Sequence, residues 1–186
     1  MTVREQLEAG LSARGWGETL RQARAGGLRR RPREGEAGLV AGAMTELAAA
    51  PGGGAAGCAV RWAAASAGCI AWADPCDRFD PHSAHRVGVD LERLLWLRGS
   101  PALRGMEGLS RWNEILNLVI QSHTVELVVA DFLDWPVAEL RRIPRSAWFR
   151  LLRGLEYGRQ TALLLLAPEP LSGTCSQRLR LGERGA

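Results

Sequence analysis

The hydrophobic positions along the chain follow two different patterns, with a break close to Gly38. The apolar residues of the first segment are spaced as on one or two short amphipathic helices. They are Val3, Leu7, Leu11 and Leu20. A stretch rich in Gly, Arg and Pro, AGGLRRRPREGEAG, follows them and is typical of a linker. The pattern therefore predicts an N-terminal helix and linker over residues 1–37 and a folded domain over residues 38–186.

Short apolar runs alternate with helical stretches throughout the second segment. The predicted strands are 43–48, 69–73, 94–97, 125–130 and 161–167, with 177–181 as an added edge strand. The predicted helices are 58–67, 81–87, 102–122, 136–142 and 146–155. Apolar strands separated by helices are the signature of a parallel sheet covered on both faces. We therefore predict an α/β, three-layer fold with a mostly parallel central sheet of about five or six strands.

The composition fits one folded domain. A hydrophobic fraction of 46% and seven tryptophans in 186 residues argue against a disordered chain. No apolar run approaches the roughly 20 residues that a membrane helix needs, and the opening MTVREQLEAG has no apolar signal segment. The four cysteines form no C-x-x-C pair, which favours reduced thiols over a zinc site. We expect a cytoplasmic protein that does not bind a membrane.

The positive charge is carried by arginine alone. The formal net charge is +4, and none of the 24 basic residues is lysine. A GC-rich coding sequence accounts for that bias, yet it has a physical consequence. Arginine binds phosphates bidentately and stacks on bases, so a basic face could hold DNA. An ATPase that depends on lysine cannot be built from this chain.

Two arginine clusters are candidate binding surfaces. The first either contacts nucleic acid or belongs to a solvated linker. It contains Arg29, Arg30, Arg31 and Arg33. The second is either a DNA or partner surface or the water-facing side of an amphipathic helix that packs Trp148 on the sheet. It contains Arg141, Arg142, Arg145, Arg150 and Arg153.

A glycine-rich loop follows the first predicted strand, where phosphate-binding loops occur. A working loop reads G-x-x-x-x-G-K-[ST] and opens a helix. Gly52 and Gly57 have that separation, but Cys58 occupies the lysine position and Ala59 the hydroxyl position. The backbone around Gly52, Gly53, Gly54 and Gly57 could still form an anion nest. The side chains that grip the β- and γ-phosphates and hold magnesium are missing.

Two aspartates follow other predicted strands. Ligands of parallel sheets bind at the carboxyl ends of the strands, so Asp74 and Asp131 should share one edge with the glycine-rich loop. Asp131, after VELVVA, is where the magnesium-organising (Walker B) acid of a P-loop protein would lie. A cap on the next turn is an equal alternative for this residue. Magnesium needs bound phosphates as well as one carboxylate.

The middle of the chain resembles the segment after the second strand of RecA-type recombinases. Asp74, Asp80–Pro81, Gly88–Val89–Asp90 and the apolar run 94–97 match the order found in that family. The resemblance implies a RecA-like P-loop fold. It also places Cys76 where the family carries its catalytic glutamate. A thiol that is mostly protonated at neutral pH does not replace a carboxylate, so the resemblance implies a lost ATPase.

A still closer resemblance is to the RecA-like group that includes the ImuA proteins, accessory factors of error-prone translesion synthesis. It covers about residues 38–181. The segments that carry it are DRFDPHSA, LLWLRG, LNLVIQ, LRRIPRSAWFRLLRGLE and LLLLAPEPL. The resemblance implies a non-catalytic accessory protein of DNA repair or of damage-induced (SOS) mutagenesis. The partner would be a translesion polymerase-like protein or a recombinase, with single-stranded DNA as a further ligand.

Two other functions remain open at this point. One is a cell-division regulator like the SulA proteins, which resemble RecA in fold and lack the phosphate loop. The other is a protein that binds ATP and magnesium weakly, or hydrolyses ATP slowly, through an atypical loop. The absence of lysine, hydroxyl and glutamate together favours a pseudo-ATPase without a resident cofactor.

Overall fold

The structure is a computed structural model that describes residues 38–50, 52–159 and 161–181. The predicted N-terminal helix and linker, including its four arginines, lie outside the described residues. The described part is one α/β unit. Its strands are β1 (Met44–Ala49), β2 (Ile70–Asp74), β3 (Leu94–Arg98), β4 (Leu127–Asp131), β5 (Ala162–Ala167) and β6 (Gln177–Leu181). Its helices are α1 (Ala55–Ala65), α2 (Pro81–Val87), α3 (Gly105–Gln121), α4 (Val137–Leu140) and α5 (Arg145–Gly158).

The six strands form one sheet in the order β3-β2-β4-β5-β1-β6, and every neighbouring pair is parallel. Helices cover both faces, so the predicted three-layer α/β fold is confirmed, and the arrangement is consistent with a Rossmann or RecA-like architecture. The strands predicted from apolar runs all exist, including the edge strand β6. Strands β1, β2, β4 and β5 are fully buried, and because adjacent side chains in a strand point to opposite faces, these four strands are mostly apolar on both sides.

The two faces have separate cores. On one face α1 and α2 pack against a cluster that includes Ile70, Trp72 and Val129. On the other, α3, α4 and α5 pack against a cluster that includes Trp112 and Trp148. The burial of Trp148 confirms the interpretation of that residue as a core side chain.

Local sequence signals explain where the short helix α2 begins and ends. The side chain of Asp80 accepts a hydrogen bond from the His82 N–H at 3.0 Å, and Pro81 occupies the first helical position. Such a cap followed by proline is favourable at a helix start. Gly88 ends the helix with φ of 109°, a left-handed conformation that glycine adopts without strain. The observed bounds are the predicted ones.

The connection from β5 to β6 crosses the sheet without a helix and is held by a buried acid. Glu46 in the middle of β1 is fully buried. It accepts hydrogen bonds from the backbone N–H groups of Leu171 at 2.5 Å and Ser172 at 2.9 Å, and from Arg178 Nε at 2.8 Å. One carboxylate therefore ties the crossover segment and β6 to the central strand.

None of the helices within the described ranges combines the length and the apolar character that crossing a membrane requires.

Candidate functional site

The carboxyl ends of the strands lie along one edge of the sheet because all six strands run in the same direction. β1 ends at Ala49, β2 at Asp74 and β4 at Asp131. The glycine-rich turn after β1 is on the same edge. The structure therefore brings the predicted phosphate-loop and Walker B positions to a common side of the molecule.

The glycine-rich turn is shorter than a phosphate loop. Gly52 and Gly54 have φ of 76° and 85°, and a Cβ on Gly53 would lie 2.9 Å from the Ala50 carbonyl oxygen. The backbone thus requires glycine at these positions. Helix α1 starts at Ala55, three residues earlier than the pattern predicts, and the Cys58 N–H already donates to the Gly54 carbonyl at 3.0 Å.

The early helix start changes what the remaining motif residues can do. Gly57 and Cys58 belong to the first turn of α1 and not to a loop that wraps around a phosphate. Ala59 is fully buried in the core beneath the helix. Cys58 is half-buried and accepts a hydrogen bond from Arg61 Nη2 at 3.2 Å. Neither side chain at the lysine and hydroxyl positions offers a positive charge for a phosphate or an oxygen ligand for magnesium.

Asp131 lies in a nearly closed environment. It is 2% exposed, and its Oδ1 accepts a hydrogen bond from the Leu133 N–H at 3.2 Å. The Arg78 Nη1 is 4.0 Å from the same oxygen. Burial raises the pKa of Asp131 to about 6, with the Leu133 N–H and Arg78 opposing that rise. The cap on the following turn, one of the two predicted roles, is therefore present in the structure.

The neighbouring Asp74 uses its carboxylate to hold the backbone of the turn that follows β2. Its carboxylate accepts hydrogen bonds from the N–H groups of Arg78 and Phe79, both at 2.8 Å, and from Trp96 Nε1 at 3.2 Å. These contacts fix the turn between β2 and α2 and attach it to β3. Asp74 is therefore a structural residue of this edge.

Cys76 is the residue that the resemblance to RecA-type recombinases aligns with a catalytic glutamate. It is half-buried, and Arg104 Nη1 donates to its Sγ at 3.2 Å. Burial raises the pKa of the Cys76 thiol above its usual value, although Arg104 acts in the opposite direction. A neutral thiol cannot accept a proton from water as a carboxylate does.

Ion pairs occupy the rest of the edge. Arg78 Nε is 2.6 Å from Asp134 Oδ2 and so bridges Asp134 to Asp131. Arg98 pairs with Asp77 at 2.8–2.9 Å and stacks on the Trp96 ring at 4.5 Å. The cations are thus already matched by protein carboxylates or aromatic rings.

The residues at this edge do not fit a tightly held magnesium–nucleotide. The lysine and hydroxyl positions hold Cys58 and Ala59, and the Walker B position holds a carboxylate whose raised pKa and buried location weaken it as a ligand. Within the described ranges, no group of three or more His, Cys, Asp or Glu side chains is placed to hold a metal ion.

The second arginine cluster is only partly brought together. Arg141 forms a bidentate ion pair with Glu169, at 2.6 and 2.7 Å, and Arg142 is exposed beside it. Arg145, Arg150 and Arg153 lie on the exposed side of α5. Arg141 is therefore already paired with a carboxylate, whereas the other three arginines lie together on one helix.

The exposed side of α5 alternates cations with aromatic rings. Residues four apart on a helix are neighbours, and Arg145, Phe149, Arg153 and Tyr157 follow that spacing. Phe149 is 44% exposed and Tyr157 87% exposed. The Arg145 guanidinium lies 5.8 Å from the centre of the Phe149 ring. We call these four residues the α5 row.

An open groove whose accessible lining is mostly apolar adjoins the C-terminal end of the α5 row. It has a volume of about 440 Å³ and is lined by Gln121, His123, Arg150, Arg153, Gly154 and Tyr157. Nothing in the sequence motifs marked Gln121, His123 or Tyr157 as site residues. The spacing of Tyr157 from Arg153 and Phe149 was the available signal, whereas nothing in the sequence places the end of α3 beside α5.

Comparison of the chain with protein-family models and with curated proteins gives no match in either case.

Proposed function

We propose that this chain is a non-catalytic RecA-like accessory protein of DNA repair or damage-induced mutagenesis that binds single-stranded DNA through the α5 row. It would act in the cytoplasm beside a translesion polymerase-like protein or a recombinase. The proposal combines two properties, namely the absence of ATP hydrolysis and the presence of a nucleic-acid surface. Different parts of the molecule support each of them.

The sheet edge supports the lack of hydrolysis. Phosphoryl transfer needs a cation on the β- and γ-phosphates and a group that orients water. Here Cys58 and Cys76 occupy those two positions, and Arg104 contacts the second thiol. Internal ion pairs between arginine and aspartate hold the same edge. A pseudo-ATPase is the function class that fits these contacts.

The α5 row is the observation that carries the DNA-binding part of the proposal. Single-stranded nucleic acid is bound by positive charges that follow the backbone together with aromatic rings on which bases stack. The exposed residues of α5 include three arginines, two aromatic rings and one acid, Glu156. A large exposed ring between two guanidinium groups has no role in packing the core, but it fits a base between two phosphates.

Titration of a labelled single-stranded oligonucleotide, followed by fluorescence anisotropy at several salt concentrations, tests this proposal. If the two arginines of the α5 row and the neighbouring exposed Arg150 all contact phosphates, log K should fall with log salt at a slope of about −2. Arg145→Gln should reduce that slope by about 0.7, since one phosphate contact is lost. Arg86→Gln is the matched control, because Arg86 is an exposed arginine on α2, across the sheet from α5.

Two results would overturn the proposal. Equal loss of affinity in the Arg86 and Arg145 variants would show that net charge, and not the α5 row, binds DNA. Tight ATP binding by calorimetry, or ATP turnover by the pure protein, would instead support the atypical nucleotide site considered in the sequence analysis.

A further inference from the structure

The groove beside the C-terminal end of α5 exists because two helices approach closely. A Cβ added to Gly154 would lie 3.0 Å from Ile120 Cγ2 of α3, so glycine at this position allows α5 to lie against α3. Gln121 and His123 at the end of α3 then face Arg150, Arg153 and Tyr157 of α5. A Cβ on Gly158 would lie 2.2 Å from His123 Nδ1, so glycine at this second position leaves room for the His123 ring.

The charge of the groove suits an anion. Two guanidinium groups line it, and none of its lining residues is acidic. Arg150 and Arg153 are three apart on the helix, and neighbouring arginines at that spacing can bind one phosphate with several N–H donors. Among the described residues, neither of them forms an ion pair with a carboxylate. This distinguishes them from Arg141, which Glu169 neutralises.

The aromatic side of the groove suits a base. Tyr157 is 87% exposed, and its ring lies 6.0 Å from the His123 ring at an angle of 40°. The two rings therefore form an open platform next to the arginines. The Nδ1 atom of His123 is buried and has no hydrogen-bond partner among the described residues, so any polar contact of this ring must come from its other nitrogen.

We propose that this groove binds one nucleotide, with its phosphate on Arg150 and Arg153 and its base stacked on Tyr157. The volume of about 440 Å³ lies in the range of small-molecule sites. A free nucleoside monophosphate and one unit of a single strand present the same chemistry. Where the nucleotide is part of a strand, the inference rests on the DNA-binding function proposed above and assigns the groove as the end of that surface.

The chain offers a direct probe of the groove because Tyr157 is its only tyrosine. Replacing tyrosine by fluorotyrosine gives a full-length protein with one fluorine NMR signal, located at the groove. Titration with thymidine monophosphate and, separately, with an oligothymidine tests both sources of the nucleotide. The proposal predicts a saturable shift of this signal with at least one of them. Thymidine, which lacks the phosphate, should shift it at least tenfold more weakly.

Variants separate the two contacts of the nucleotide. Both Tyr157 variants lose the fluorine signal, so their affinity for thymidine monophosphate is measured by calorimetry. Tyr157→Leu should weaken binding about fivefold or more, while Tyr157→Phe should stay close to wild type, because stacking needs the ring and not its hydroxyl. Arg153→Gln should weaken binding of the monophosphate and leave the weak thymidine response unchanged. Arg86→Gln should change neither. Since Arg153 and Tyr157 are exposed, the far-UV circular dichroism and melting temperature of these variants should match wild type.

The outcomes distinguish this inference from the proposed function. Binding of the oligothymidine without any shift of the Tyr157 signal would overturn the groove assignment and leave DNA binding by the rest of the α5 row standing. A shift with the monophosphate but no oligonucleotide binding would support the groove assignment and overturn the proposed DNA binding. A shift with inorganic phosphate alone as large as that with thymidine monophosphate would show an anion site without base recognition and would also overturn the inference.

Discussion

Asp131 shows how far the surroundings of one residue can alter its chemistry. Its position after β4 was visible in the sequence. Arg78 was not visible as its neighbour, because the contact joins the turn after β2 to the end of β4. The sequence thus predicted that Asp131 lies at the carboxyl end of a strand, whereas the ion pairs that hold this edge depend on the folded geometry.

The raised pKa of Asp131 predicts a pH dependence of stability. The folded value of about 6 lies above the unfolded value of about 3.9, so the folded state binds the proton more tightly. Stability should therefore fall as the pH rises through 6, and Asp131→Asn should remove that fall. Between about pH 5 and about pH 7.5 the wild type should lose about 1 kcal/mol relative to the variant.

Urea unfolding of both proteins at the two pH values measures this difference. The matched control is Asp134→Asn, which removes an exposed carboxylate paired with the same arginine. A pH dependence that survives in the Asp131 variant would contradict the assignment of the titration to that carboxyl group.

Helix α5 illustrates what periodicity predicts at the scale of an element. The pattern predicted a helix with Trp148 on the core side, and both are observed. It gave the start of α1 three residues too late, because a run of glycine and alanine contains no capping side chain. Gly54 ends the turn through its own left-handed backbone, and no side-chain hydrogen bond caps the helix.

Two adjacent aromatic residues of α5 should respond differently to truncation. Trp148 is 3% exposed, so Trp148→Ala should lower the free energy of unfolding by about 3–5 kcal/mol. Phe149 is 44% exposed, so Phe149→Ala should change it by no more than about 0.5 kcal/mol while weakening oligonucleotide binding. Denaturant unfolding and anisotropy on the same two variants provide the measurements. A stability loss of similar size in both would contradict the orientation of the helix.

At the scale of the whole molecule, the sequence predicted the strands but not their order. Apolar runs identify each strand locally, yet β1 lies between β5 and β6, which follow it by more than a hundred residues. No local pattern specifies such a pairing. The buried Glu46 was likewise unexpected in a strand predicted from its apolar residues, and Arg178 and the crossover backbone satisfy it only in the folded chain.

Removal of the arginine partner of Glu46 should destabilise the molecule. Arg178→Leu leaves the buried carboxylate without its cation, but Arg178 is itself 37% exposed and two backbone N–H groups still bond Glu46, so the cost should be about 1–3 kcal/mol. Arg180→Leu, an exposed change on the same strand, should cost no more than about 0.5 kcal/mol. Thermal and urea unfolding compare the two. Hydrogen exchange should show the earliest loss of protection in β6 and in the crossover. Equal stability of both variants would contradict the role of the ion pair.

The position of β1 between the last two strands also constrains how the chain can be made. Strands β2, β3 and β4 can pair with one another soon after synthesis, but both neighbours of β1 are translated more than a hundred residues after it. Glu46 and Arg178 are 132 residues apart. At about 5–20 residues per second, the apolar β1 therefore waits for several seconds without a partner in its own sheet. In a nascent chain interrupted before residue 162, β1 has unpaired backbone hydrogen-bonding groups and exposed apolar side chains. Incomplete translation products of this protein should therefore aggregate with one another.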